Sequence, residues 1–151
     1  MDTEHYYEVN LGWQQDRKGT LSSPVLDESI EVATPPEFPK GMEGIWSPEH
    51  FFVAAVSSCL MTTFLAIAEY SKLDFNKLSI NAEGKLEKAD GKFVMSKILL
   101  KPELRIPEHT DPKKAERVLQ KSEVACLISN SITSTVTMET EIVVERAALS
   151  T

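Results

Sequence analysis

A chain of 151 residues, 42% of them hydrophobic, is long enough to bury a sizeable core, and no shift in composition marks a second domain, so one domain over residues 1–151 is expected. A formal net charge of −7 without a basic stripe argues against nucleic-acid and anionic-membrane partners, because nothing is placed to neutralise phosphates. The opening Met1-Asp2-Thr3-Glu4-His5 has neither a basic n-region nor an apolar h-region, so the expected compartment is the cytoplasm.

Tyr6 to Trp13 alternates weakly, Lys18-Gly19 reads as a turn, and Thr20 to Val32 alternates again, which predicts a short antiparallel meander. A loop follows with Pro35, Pro36, Pro39, Gly41 and Gly44, a composition no helix or central strand accepts. It ends at Trp46-Ser47-Pro48-Glu49. Ser47 suits an N-cap, Pro48 the first helical position, and Glu49 the positive end of the helix dipole.

The helix starting there is predicted to run from Pro48 to about Ser71. From Phe51 to Ala68 it carries no charge on any face, a pattern that calls for burial all round. Ser57, Ser58, Thr62 and Thr63 interrupt the run and no basic flank orients it, so a membrane span is not expected. At 1.5 Å per residue, such a helix is roughly 36 Å long, more than one small domain covers, and a second subunit is expected to bury its far side.

Leu78 to Leu86 and Phe93 to Ile106 alternate around Ala89-Asp90-Gly91, which predicts a β-hairpin. Asp111 then caps a helix opening at Pro112 and running through Ser122, with Ala115, Val118 and Leu119 on its apolar face. A short apolar stretch, Cys126 to Ile132, precedes a last strand from Ser134 to Val144. Helices that do not alternate with every strand define an α+β class rather than a doubly wound one.

The only two cysteines, Cys59 and Cys126, stand in small-residue, helix-like neighbourhoods. Neither belongs to a CxxC, and two thiols without nearby histidines cannot complete a structural zinc site, so no metal is expected. A pair of thiols or one disulfide remains. In a reducing compartment such a pair is redox-active or simply buried. A nucleophilic Cys59 needs its pKa lowered. Three turns into its helix the N-terminal dipole has decayed, so a cation from elsewhere is expected, with Arg17 the candidate and Glu49 its orienting carboxylate. Glu49 and Cys59 lie roughly 15 Å apart along one helix. Across a two-fold axis, Glu49 of one chain can lie beside Cys59 of its partner, which predicts a composite site.

The run Ser47-Pro48-Glu49-His50-Phe51-Phe52-Val53-Ala54-Ala55-Val56-Ser57-Ser58-Cys59 resembles the N/S-P-E-x-hydrophobic…A-A-C segment of the OsmC/Ohr family, including the spacing from glutamate to cysteine. Ala125-Cys126-Leu127-Ile128-Ser129 is similar to that family's C-P-[apolar]-S stretch, and with the two motifs in the family's order around a hairpin the resemblance covers essentially the whole chain. Leu127 stands where the family often has proline, which leans away from typical Ohr and towards the OsmC-like branch or a third branch of the family. The resemblance implies an intertwined α+β homodimer, two long central helices wrapped by antiparallel sheets. It also implies a stress-response activity, thiol-dependent reduction of organic hydroperoxides, and of hydrogen peroxide less efficiently, without metal, haem or flavin. Cys59 would be peroxidatic, and Cys126 would resolve its sulfenic acid as an intramolecular disulfide that an external dithiol reduces. Glu49 matches the family's glutamate and Arg17 its N-terminal arginine.

Plainer readings stand beside these. Cysteine is a common small core residue, Glu49 a favourable N-terminal charge, and Arg17 a solvated turn residue. His50 and His109 have no partner at ligand spacing. A non-peroxidatic protein of the same fold, binding an apolar or electrophilic small molecule at the dimer interface, is the alternative function.

Overall fold

The computed structural model describes residues 3–147. Two compact units divide between Phe51 and Phe52. In the first, β1 (Asn10–Gln15), β2 (Lys18–Ser23) and β3 (Leu26–Ala33) form an antiparallel sheet in the order β1-β2-β3. The turn expected at Lys18-Gly19 lies instead at Asp16-Arg17, where Asp16 takes a φ of 49° and its carbonyl accepts the Trp13 indole N–H at 3.1 Å. Aspartate tolerates that left-handed conformation because its short polar side chain bonds locally. Gly19 is buried within β2 opposite Trp13, where an added Cβ would lie 2.9 Å from the Gly12 carbonyl oxygen. Close approach, not a turn, is the reason for glycine there. The single strand expected over Thr20–Val32 is two, broken at Pro24-Val25, since proline has no N–H for a ladder. Leu11, Leu21 and Ile30 stand in register across the three strands and make an apolar row on one face.

The proline-rich loop runs alongside the end of β3. Ala33 N–H donates to the Trp46 carbonyl at 2.9 Å, Met42 N–H to Thr34 at 2.9 Å, and Thr34 N–H to Arg17 at 3.3 Å. Helix α1 (Pro48–Tyr70) then begins as its punctuation predicts. The Ser47 hydroxyl accepts the His50 N–H at 3.2 Å, and His50 Nδ1 accepts both the Ser47 N–H at 3.2 Å and the Ser47 hydroxyl at 2.7 Å. This is a capping box with histidine in the glutamate position. Trp46 stacks on Phe51 with centroids 5.5 Å apart, the hydrophobic staple that fixes the chain's entry into the helix.

In the second unit, β4 (Lys77–Ala89) and β5 (Lys92–Pro107) form the predicted hairpin, with positive φ at both Asp90 and Gly91 as a type I′ turn requires. Helix α2 (Pro112–Ala125) opens on Asp111, whose carboxylate accepts the Lys113 N–H at 3.0 Å. The last strand is two strands, β6 (Thr135–Met138) and β7 (Glu141–Glu145), paired one after the other along β5. Both run parallel to β5, so this sheet is mixed rather than antiparallel; the α2 crossover is the kind of connection parallel strands need. The break falls opposite Lys101-Pro102, where proline has no N–H to give.

Two apolar clusters hold this unit together. Phe64, Ala68 and Leu73 pack with Leu104, Ile106, Ala115, Val118 and Leu119. Val56 and Leu60 pack with Ile98 and Leu100, and the partly buried Ile128 and Ile132 close over them. Gly84 lets the helix approach the sheet, since a Cβ there would lie 2.5 Å from Val53 Cγ2. Along α1 the buried residues are Val56, Cys59, Leu60, Phe64 and Ala68, a stripe at four-residue spacing with Cys59 on its flank. The expected burial all round is not met within the chain. Only 28% of the helix's most apolar window is buried, and the helix is long and apolar enough to cross a membrane by length and composition. The class is α+β, with two α-helices and two sheets, as expected.

Candidate active site

Helix α1 carries Cys59 three turns from its start, 8% exposed. Helix α2 ends by delivering Cys126, fully buried, as its C-cap. At Cys126 the backbone leaves helical geometry (φ −65°, ψ 110°), so the next peptides turn away from the axis. Four hydrogen bonds hold that turn: Asn130 N–H to Cys126 O (3.1 Å), Ser131 N–H to Ile128 O (3.0 Å), Asn130 Nδ2 to Val124 O (3.0 Å) and the Ser131 hydroxyl to Leu127 O (2.7 Å). Packing of Ile128 against the cluster of Val56, Leu60, Ile98 and Leu100 anchors the turn to the core. The two thiols therefore meet although 67 positions separate them (59 to 126), and both are free.

Their acidities diverge. Burial opposes ionisation of Cys59 most strongly, but hydrogen bonds from the Ile128 backbone, the Cys126 thiol, the Thr63 hydroxyl and the Leu127 backbone together outweigh it and hold the thiol below its ordinary range. Burial also pushes Cys126 up, the Ser129 hydroxyl and backbone only partly offset it, and the neighbouring Cys59 raises it further. Ser129 Oγ is buried without a well-aligned hydrogen-bond partner. The charge of this pair is thus drawn to Cys59, with Cys126 as the protonated donor. Within the described residues of one chain, every group that lowers Cys59 is neutral: main-chain donors, a thiol and a hydroxyl. Donor N–H groups aimed at an anion act as a cation does when they are fixed beforehand.

Glu49 lies in the first turn of α1, half-buried, with Oε2 buried and unpartnered among the described residues. Arg17 is exposed in the β1–β2 turn. Both belong to the first unit, whereas Cys59 and Cys126 belong to the second, and it is the cysteines that the fold brings together. His109 pairs with Asp74 at 2.7 Å, both well exposed. Among the described residues no three His, Cys, Asp or Glu side chains gather as metal ligands. Sequence reasoning missed Leu127, Ile128 and Thr63. The first two act through backbone N–H groups, which leave no mark in a sequence. Thr63 left one, its i+4 spacing from Cys59.

An α+β fold with two free thiols near each other, one on a long apolar helix and the other capping the end of a second helix, defines a class of thiol proteins. The model of the OsmC-like protein family matches residues 41–141, and the chain belongs to that family. Uncharacterized protein YmaD of Bacillus subtilis is 27% identical over 146 residues, covering 91% of this chain and 93% of its own. An OsmC-like protein of unknown function from Vibrio cholerae superposes with a TM-score of 0.83 at 25% identity, covering 91% of this chain and 99% of its own. The organic hydroperoxide resistance protein OsmC of Legionella pneumophila has the same fold, with a TM-score of 0.73 at 18% identity over 94% of this chain and 99% of its own.

Proposed function

We propose that this protein is a cytoplasmic thiol-dependent peroxidase of the stress response that reduces organic hydroperoxides and, less efficiently, hydrogen peroxide. The observation that carries the reading is that two free, buried thiols from different helices lie near each other, Cys59 on α1 and Cys126 at the end of α2, with Cys59 drawn below and Cys126 above the ordinary thiol range. The Cys59 thiolate attacks the terminal peroxide oxygen. The O–O bond breaks, the alkoxide takes a proton and leaves as alcohol, and Cys59 keeps the oxygen as sulfenic acid. Cys126, once deprotonated, attacks that sulfur; the S–S bond forms and hydroxide leaves to become water. An external dithiol returns both thiols by exchange.

The same reading includes a homodimer. The exposed side of α1 and the exposed Leu11, Trp13 and Ile30 of the first sheet are apolar surface that a second copy would cover. Ser57, Ser58, Thr62 and Thr63 along α1 favour a protein partner over lipid. The unpartnered Glu49 oxygen suits a role beside the partner's thiol, with Arg17 as the cation that Glu49 orients. Hydroperoxide consumption with a dithiol reductant tests the function. Wild-type turnover that is abolished in Cys59→Ser and limited to about one equivalent in Cys126→Ser supports it. Inert wild-type protein contradicts it and leaves binding of an apolar or electrophilic small molecule.

A further inference from the structure

Four hydroxyl side chains of α1 lie within one turn of Cys59 on either side: Ser57, Ser58, Thr62 and Thr63. Three of them turn back onto backbone carbonyls three residues earlier. Ser57 bonds Ala54 at 3.2 Å, Ser58 bonds Ala55 at 3.3 Å, and Thr62 bonds the carbonyl of Cys59 itself at 3.2 Å. This is how serine and threonine ordinarily dispose of a hydroxyl inside a helix. Thr63 differs: its Oγ1 lies 3.9 Å from Cys59 Sγ, one turn away on the same face. Thr62 and Thr63 thus hold Cys59 from two sides, one at its carbonyl and one at its sulfur.

We propose that Thr63 is a positioning residue for the Cys59 thiolate, its hydroxyl completing the set of donors begun by the Leu127 and Ile128 backbone. The purpose of that role rests on the peroxidase reading above. With the thiol protonated, Cys59 S–H can donate to Thr63 Oγ1. With the thiol ionised, sulfur has only lone pairs and the hydroxyl must donate to it, an interaction strengthened and shortened by the charge. Removing the hydroxyl therefore costs the ionised state more than the neutral one. Thr63 is half-buried, and its methyl group remains in an isosteric valine. It belongs to α1, whereas the backbone donors belong to the turn after Cys126, so replacing it leaves the residues that carry those donors unchanged.

The test measures carbamidomethylation of Cys59, resolved by peptide mass, from pH 5 to 10 in wild type, Thr63→Val and Thr63→Ser, with hydroperoxide turnover read on the same samples. Thr63→Val is expected to move the Cys59 titration midpoint upward and slow its alkylation at pH 6.5 by about three- to tenfold. Thr63→Ser, which keeps the hydroxyl, is expected to stay near wild type. Thr63→Ala replaces the valine variant if that fails to fold. Wild-type profiles in Thr63→Val or Thr63→Ala overturn the proposal even where turnover persists. A shifted profile in a protein that never turns over hydroperoxide keeps the role of Thr63 and overturns the peroxidase reading instead.

Discussion

Cys59 and Cys126 shift each other's acidity in opposite directions: the thiol of Cys126 stabilises the Cys59 thiolate, and the presence of Cys59 makes Cys126 harder to ionise. Two identical groups side by side would otherwise titrate as rivals. The asymmetry comes from their surroundings. Backbone N–H groups of Leu127 and Ile128 face Cys59, while Cys126 is sealed at the end of α2.

That asymmetry makes stability depend on pH with two signs. Cys59 has a native pKa below its unfolded value, so its contribution is complete above the ordinary thiol pKa near 8.5 and is lost as pH falls through the native value. Cys126 has a raised native pKa, so its contribution is complete below about 8.5 and is lost as pH rises through the native value. Denaturant melts should show the wild type gaining on Cys59→Ala as pH rises to about 8.5. At more alkaline pH it should lose ground to Cys126→Ala. A difference that does not vary with pH in either comparison would contradict the assignment.

Ile128 links the donor turn to the core, packing against the cluster of Val56, Leu60, Ile98 and Leu100. Ile128→Ala should cost about 2 kcal/mol of stability and also raise the Cys59 titration midpoint, because the turn loses its anchor. Leu104→Ala, in the other cluster, should cost about 2–5 kcal/mol while leaving that midpoint in place. Equal midpoint shifts in both would mean that the donors respond to general loosening rather than to this anchor.

The start of α1 depends on a reciprocal Ser47 and His50 cap beneath the Trp46 and Phe51 staple. Ser47→Ala should destabilise by about 1 kcal/mol, a fall in Tm of about 3 °C for a chain of this size. Ser47→Asp, which keeps an acceptor at the cap, should recover most of it. Calorimetry on the two variants measures both effects.

If Glu49 acts on the thiol of a partner chain, inactive Cys59→Ser and Glu49→Ala proteins should complement each other. Random mixing gives half heterodimers, each with one intact site, so about a quarter of wild-type activity is expected on refolding the two together. No recovery would place Glu49 outside a shared site.

Local chemistry was the legible part of this chain. Ser47 and Asp111 mark helix starts through side-chain bonds to N–H groups two or three residues on, Pro48 through its fixed φ and missing N–H, and Asp90-Gly91 marks its hairpin through positive φ at both positions. Relations across the fold were less legible. Pro102 lies in β5, yet its missing N–H bears on where the strand after η1 (Ser129–Ser131) divides into β6 and β7. Pro24 was a visible signal that an alternating pattern masked. In the site, the cysteines stood out by their type, whereas what tunes Cys59 is largely main chain, and any residue other than proline carries the same N–H.

On the proposed function, Cys59 and Cys126 form one redox unit. Its most direct test is free-thiol titration with intact mass after one equivalent of cumene hydroperoxide is added to the reduced protein. Rapid loss of both thiols with a mass decrease of about 2 Da, two hydrogens lost to one disulfide, is the predicted result. Two persistent free thiols at unchanged mass would contradict it.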